Sequence, residues 1–280
     1  MAAAFDFLGL SHRIAKQARA IAARGDGREL VGSTNSLGQG TIRADKDLED
    51  MVIGELKASG IPCTLATEEA GLVEISANPE WRFVLDPLDG SENYKRGVPP
   101  YSLGICYAPE GGSLGDVRES FVCDLVSGDE FYARAGSGVV LRNGVKTVAG
   151  KAKRLSDAVL SADFYCGNRG PRDAETHALL REVRDARRLG SGLIEMAYVC
   201  CGGADGYLLL NPLLSAVHAS GVGLMREACV LTDERGGKLD CPLEVDAKFG
   251  FIAACTKELH AGILDALKRG DKNGGKIRLS

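Results

Sequence analysis

Asp86-Pro87-Leu88-Asp89-Gly90-Ser91-Glu92-Asn93 follows directly on the apolar run Trp81 to Leu85. Two carboxylates three residues apart thus stand at the exit of an expected strand. Pro87 stiffens that exit, and Gly90 lets the backbone turn sharply. A Gly-Ser pair opening a helix presents backbone N–H groups, which bind anions. Carboxylates beside such amides would repel a phosphate unless a hard cation stood between them. Mg²⁺ accepts carboxylate, water and phosphate oxygens together. An isolated Asp-x-x-Asp-Gly is also the pattern of an acidic turn capping a helix. The surroundings argue for a site: Glu68 and Glu69 end another expected strand, and Asp45 and Asp47 open a helix. Acidic ends of several elements can converge at one sheet edge, where α/β proteins bind ligands. Clustered acids without basic neighbours are costly unless a cation joins them.

Outward from this segment, 280 residues suffice for one large domain or two medium ones. The net charge of −4 comes with no basic stripe, which argues against a nucleic-acid partner. The run Arg181 to Arg188 mixes Arg with acids and apolar residues and reads as a solvated face or edge. No apolar run reaches the ~18 residues that span a bilayer, and Met1 to Leu10 lacks a basic region before an apolar stretch. The nine cysteines are odd in number and form no C-x-x-C pair, so they read as reduced, buried thiols of a cytoplasmic protein. The histidines lie away from them, without zinc-site spacing.

Helical periodicity covers Phe5 to Ala23, then a Gly- and Ser-rich loop with room for a short hairpin reaches Gly40, and a second helix covers Asp45 to Ser59. Strands are expected at Cys63 to Thr67, Trp81 to Leu85, Ser102 to Ala108, Ser120 to Val126 and Glu130 to Ala135, followed by a turn-rich ribbon to Gly144. Beyond Leu155, strands at Ala158 to Phe164, near Arg187, at Tyr207 to Leu210 and at Phe249 to Ala254 alternate with helices. Those helices are expected around Ala174 to Val183, Leu193 to Cys201, Leu214 to Ala228 and Lys257 to Leu267. This is layered α/β packing in two halves. Residues 1–150 form an α+β half with the acidic motifs, 151–268 an α/β half, and 269–280 a mobile tail.

These motifs, in this order, resemble the inositol monophosphatase superfamily, which also holds fructose-1,6-bisphosphatases. Its Asp-Pro-Ile-Asp-Gly-Thr-x-Asn is matched by Asp86 to Asn93, with Leu88 for Ile and Ser91 for Thr. Its Glu-Glu motif is matched by Glu68-Glu69, and its Thr-Asp by Ala44-Asp45. Gly190-Ser191-Gly192, Glu195 to Val199 and Gly203 to Tyr207 are similar to its second half, and the overall texture is closest to the archaeal dual-activity type. The resemblance implies an αβαβα fold with two sheets and flanking helices, and Mg²⁺-dependent hydrolysis of small sugar or polyol phosphates. Two or three Mg²⁺ ions are implied, with Mn²⁺ as a substitute. Glu68, Asp86 and the Leu88 carbonyl would hold the first; Asp86, Asp89 and an Asp from the second half would hold another. Asp45 and Ser91, with Glu68, would orient and deprotonate the attacking water. Gly90, Ser91, Gly190, Ser191 and Gly192 would hold the substrate. Glu69 would be a salt-bridged surface acid. The family also implies a homodimer, with no nucleic-acid or membrane partner.

Two positions depart from the family. Its Asp-x-Ala-Ala-Gly reads Val217-His218-Ala219-Ser220-Gly221 here, so the ligand Asp falls on Val217 and one ligand position is expected to be empty. Adjacent His218 is expected to pack or to face solvent, since consecutive helical residues diverge by about 100°; a ligand or base role is the alternative. Leu209 stands where inositol-selective members carry Glu, which argues against strict inositol specificity. Three other readings compete. One is a weakened relative that binds a sugar phosphate or a partner without efficient turnover, and another is a 3′,5′-bisphosphate nucleotide phosphatase. The third, a serine hydrolase suggested by Gly111 to Gly115, lacks the strand-to-helix setting that motif needs.

Overall fold

The computed structural model describes residues 5–34, 40–164 and 170–272. Helix α1 (Phe7–Ala22) is capped by Asp6, whose Oδ1 accepts from the Gly9 amide at 2.9 Å. Strands β1 (Leu30–Thr34) and β2 (Gly40–Ile42) pair antiparallel, which is the hairpin allowed for in that loop, and lead into α2 (Arg43–Ser59). Then come β3 (Cys63–Thr67), β4 (Gly71–Glu74), β5 (Trp81–Asp89), α3 (Ser91–Arg96), β6 (Ser102–Pro109), β7 (Glu119–Asp124), β8 (Glu130–Arg134), β9 (Val140–Arg142) and β10 (Val145–Lys146). The second half runs β11 (Val159–Asp163), α4 (Asp173–Leu180), β12 (Asp185–Arg187), α5 (Gly192–Cys200), β13 (Gly206–Ser215), α6 (Ala219–Ala228), β14 (Val230–Asp233), β15 (Lys248–Ala254) and α7 (Lys257–Lys272).

Eight strands form one sheet in the order β10-β9-β8-β7-β6-β5-β3-β4, antiparallel except for β3 beside β5. Five form another, β12-β11-β13-β15-β14, parallel through β13 and antiparallel beyond. Strand alternation assigns the layers. On β5, Phe83 and Leu85 pack toward α1 and α2, whereas Val84 joins the core between the sheets with α5 and α6. On β13, Tyr207 and Leu209 enter that same core, while Leu208 and Leu210 pack toward α4 and α7. The result is the αβαβα stack. Strands buried on both faces explain why these segments read as continuous apolar runs.

Three expectations need correction. The helix expected from Leu214 begins at Ala219: Leu214 and Ser215 pair with Phe249 and Lys248, and a 3₁₀ turn follows over Ala216–His218. Sheet pairing overrides helical periodicity there. Strands β4 and β14 are additional to the expected set; both are short and only partly buried, so their sequence signal is weak. Helix α7 continues to Lys272, past the expected start of the mobile tail; residues 273–280 lie outside the described residues. The eight described cysteines are free, and Cys166 lies outside the description.

Candidate active site

Asp86 and Asp89 would normally face opposite sides of a strand, being an odd number apart. Here Asp86 pairs with Gly104 but Asp89 with Ser102, so three steps on β5 oppose two on β6. This bulge absorbs one residue and turns both carboxylates to one face. Pro87 costs no ladder hydrogen bond inside such an irregularity. Gly90 then takes φ +87°, and a Cβ there would come within 3.0 Å of the Gly190 carbonyl oxygen and 3.1 Å of that of Pro100.

Asp89 is held on several sides. Its Oδ2 accepts from the Ser191 hydroxyl at 2.5 Å, the Leu193 amide at 2.8 Å and the Ser102 hydroxyl at 3.3 Å, and its Oδ1 accepts from the Gly192 amide at 3.2 Å. The first turn of α5 therefore serves as a clamp on Asp89, and fully buried Ser191 belongs to that clamp rather than to an open substrate surface. Burial alone would raise the Asp89 pKa, but His218 and these donors hold it low. Asp86 differs. Its Oδ1 accepts from the Leu88 amide at 3.1 Å, while its buried Oδ2 has no hydrogen-bond partner. Burial, with added repulsion from Asp89, Glu68 and Asp45, raises its pKa well above the usual carboxylate value despite His218. Leu88 buries its side chain in the core below.

Asp45 sits in the first turn of α2, its Oδ2 accepting from the Ile42 amide at 3.2 Å. Burial first, then the charges of Glu69 and Glu68, raise it to about 7. Glu68 is half-buried and within electrostatic range of Asp45, Asp86 and His218. Glu69 is half-buried and accepts from the Thr41 hydroxyl. Two further acids, Glu49 and Glu195, have positioning roles that no sequence motif marks. Buried Glu49 accepts from the Thr67 hydroxyl at 2.7 Å and the Ala70 amide at 3.0 Å, fixing the turn that carries Glu68. Glu195 Oε1 accepts from the amides of Leu189 at 2.7 Å and Gly190 at 3.1 Å, fixing the loop before α5. Asn93 ties that loop to the acidic segment, donating to the carbonyls of Pro100 and Leu189, both at 2.8 Å.

The expected empty ligand position is corrected by the 3₁₀ turn. Val217 is fully buried, and His218 enters the site instead. Its Nε2 lies 3.4 Å from Asp86 Oδ2 and 3.7 Å from Asp89 Oδ1. Consecutive residues of the turn diverge, so that His218 and buried Val217 point in different directions. Burial lowers the imidazole pKa, but Asp89 and Asp86 more than offset this and hold it raised to about 9.

A cavity of about 400 Å³ opens beside Asp89, walled by Asn93, Gly190, Gly192, Leu214, Asp163 and Arg188. Leu209 lies in the core between the sheets. Arg188, at the end of the run read as a solvated edge, turns into the cavity wall. It pairs with Asp163 at 3.4 Å and stacks 4.9 Å from the Phe164 ring.

Among the described residues, Asp86, Asp89 and His218 bring one ligand atom each within 4.8 Å of one another. A buried carboxylate oxygen that accepts no hydrogen bond is costly, and Asp86 Oδ2 is such an atom, with His218 as its one ion-pair neighbour among the described residues. The donor set fits a divalent cation.

Known proteins resemble this chain in sequence and fold. A "Fructose-1,6-bisphosphatase/inositol-1-monophosphatase" of Methanothermobacter thermautotrophicus is 32% identical over 273 residues, covering 93% of this chain and 96% of its own. The solved structure of an inositol monophosphatase–fructose 1,6-bisphosphatase superposes with a TM-score of 0.80 at 25% identity, over 94% of this chain and all of the other. The extragenic suppressor protein SuhB of Bartonella henselae shares the fold, with a TM-score of 0.79 at 24% identity over 94% of this chain and 98% of its own. The sequence model of the inositol monophosphatase family matches residues 8–271, and the chain belongs to that family.

Proposed function

We propose that this phosphatase hydrolyses phosphomonoesters of small sugars or polyols, inositol monophosphate and fructose 1,6-bisphosphate among them, in a Mg²⁺-dependent reaction. The observation that carries the reading is the convergence of Asp86, Asp89 and His218, with Glu68 and Asp45 in electrostatic range, beside a cavity with Arg188 in its wall. Its size is that of small-molecule sites. Glu68, Asp86 and Asp89, with the Leu88 carbonyl, would hold the cations. A divalent cation, when bound, supplies Lewis acidity toward phosphate oxygens and water.

The chain's own groups do the rest. Gly90 and Ser91 open α3 with backbone amides suited to phosphate oxygens. Asp45 spends one oxygen on Ile42 and has the other for a water, which it orients together with the Ser91 hydroxyl and whose proton it takes as attack on phosphorus begins. The P–O bond to the sugar breaks, the departing alkoxide takes a proton from solvent water, and Asp45 returns its proton to solvent. Gly190 and Gly192 leave the cavity wall open to the sugar, and the Asp89 clamp keeps the acids in place while the substrate changes.

Phosphate release from a panel of sugar, polyol and nucleotide phosphates tests this, with Mg²⁺ and after chelation. Release from inositol monophosphate and fructose 1,6-bisphosphate, lost on chelation, is expected. Binding without release, strict selectivity for inositol phosphate, or selectivity for 3′,5′-bisphosphate nucleotides would overturn it. A homodimer is part of this reading, and solution scattering at the mass of one chain would exclude it.

A further inference from the structure

We propose that His218 is a nitrogen ligand of a cation position shared with Asp86 and Asp89, and that this position takes a first-row divalent ion such as Mn²⁺ in preference to Mg²⁺. The inference rests on the reading above that Asp86 and Asp89 hold a cation.

The distances speak first. At 3.4 and 3.7 Å, Nε2 is beyond good hydrogen-bond range of either carboxylate. Ligands each ~2.1 Å from a common ion stand about 3.0–4.2 Å apart, depending on the angle between them. The observed spacing belongs to that range.

The ring's other nitrogen speaks independently. Nδ1 lies 3.3 Å from the Ser215 carbonyl oxygen. A carbonyl only accepts, so Nδ1 carries a proton whatever the state of Nε2, and Nε2 is the nitrogen that faces the two carboxylates. In the metal-free chain a proton on Nε2 balances the carboxylates, and a divalent cation would displace that proton and take the lone pair. Donation of the second ring N–H to a backbone carbonyl is the habitual support of a metal-bound histidine. Ser215 is itself anchored, paired with Lys248 at the end of β13, and the next amide, that of Ala216, donates to the Ala247 carbonyl at 2.9 Å. The ring is thus aimed by a sheet edge. Opposite it, Asp86 Oδ2 is buried and accepts no hydrogen bond.

The donor set then selects the ion. Mg²⁺ is hard and takes oxygen ligands. An imidazole nitrogen among carboxylates favours Mn²⁺ through Zn²⁺, with affinity rising along that series up to copper. An all-oxygen position elsewhere in the cluster, on Glu68 and Asp86, retains its suitability for Mg²⁺.

The full chain, stripped of metal by chelation, is titrated calorimetrically with Mn²⁺ and with Mg²⁺, and the Mn²⁺-loaded protein is probed for electron spin-echo modulation by a ligating ¹⁴N nucleus. Mn²⁺ should bind more tightly than Mg²⁺ with strong ¹⁴N modulation. His218→Ala should weaken one Mn²⁺ position by about 10–100-fold, the scale of losses at supported metal ligands. His218→Asp should retain Mn²⁺, lose the modulation and tighten Mg²⁺ binding. Circular dichroism of each variant checks the fold. Unchanged Mn²⁺ affinity in a folded His218→Ala, or modulation that persists in His218→Asp, would overturn the proposal. Mn²⁺ binding without ¹⁴N coupling in the parent overturns it alone, leaving the phosphatase reading intact. Binding of no divalent ion at all would overturn it together with the cation reading of the active site.

Discussion

At the scale of single residues, Val217 and His218 trade the roles that motif alignment gives them. Val217 is fully buried and His218 Nε2 already stands beside the acids, so a carboxylate at position 217 would be a buried charge next to an occupied place. Val217→Asp should therefore fail to add a ligand and should destabilise the fold by roughly 3–5 kcal/mol, the cost of an uncompensated buried charge. Urea denaturation checks this, and unchanged stability with raised activity would restore the alignment-based reading. Arg188 makes a second case. It is half-exposed, paired with Asp163 and placed in the cavity wall. A guanidinium there suits a second phosphate. Arg188→Ala should raise KM for fructose 1,6-bisphosphate about tenfold, one charge-assisted hydrogen bond's worth, and leave KM for inositol monophosphate nearly unchanged. Steady-state kinetics on both substrates decides it; equal shifts would remove Arg188 from substrate selection.

At the scale of elements, the site depends on how strand and helix ends are pinned. The bulge in β5 faces Asp86 and Asp89 the same way, the first turn of α5 clamps Asp89, and Glu195 fixes the loop before α5. Glu195 does so under strain. Burial, with the nearby charge of Asp163, raises its carboxyl from 4.5 to about 8, despite the two amides it accepts from. The folded chain then holds this proton more tightly than the unfolded chain. The associated stability is fully present below pH 4.5 and is lost as pH rises through about 8. Glu195→Gln keeps a hydrogen-bond acceptor without the charge. Its stability relative to the parent should therefore climb across that window, as read by thermal denaturation at a series of pH values. A difference that does not vary with pH would show that Glu195 stays ionised. The bulge was invisible in the sequence because Asp86-Pro87-Leu88-Asp89 fits either a turn or an irregular strand. The helix expected at Leu214 was misplaced because its apolar residues satisfy both periods until β15 pairs with them.

At the scale of the whole molecule, the layer between the sheets joins both halves of the chain. Helices α5 and α6 come from the second half, yet α6 packs on β6, β7 and β8 of the first. We propose that the border near Lys151 divides two sheets rather than two independently folding units. Residues 1–150 or 151–280 expressed alone would expose Val84, Val122 and Phe131, or Leu193, Met196 and Leu224, from this shared core. Each large apolar side chain is worth roughly 1.5–3 kcal/mol when buried, against a whole-domain stability of about 5–15 kcal/mol. Neither half should show a cooperative thermal transition; a sharp one in either would refute the shared-core account. The layered α/β order, the acidic segment at a strand exit and the second acidic strand end were all legible in the residues, because periodicity and turn chemistry are local. The partner of Asp86 and Asp89 was not. Whether Val217 or His218 faces the acids depends on where β13 stops, and that is set by pairing with a strand more than thirty residues later, an interaction that only the folded chain brings together.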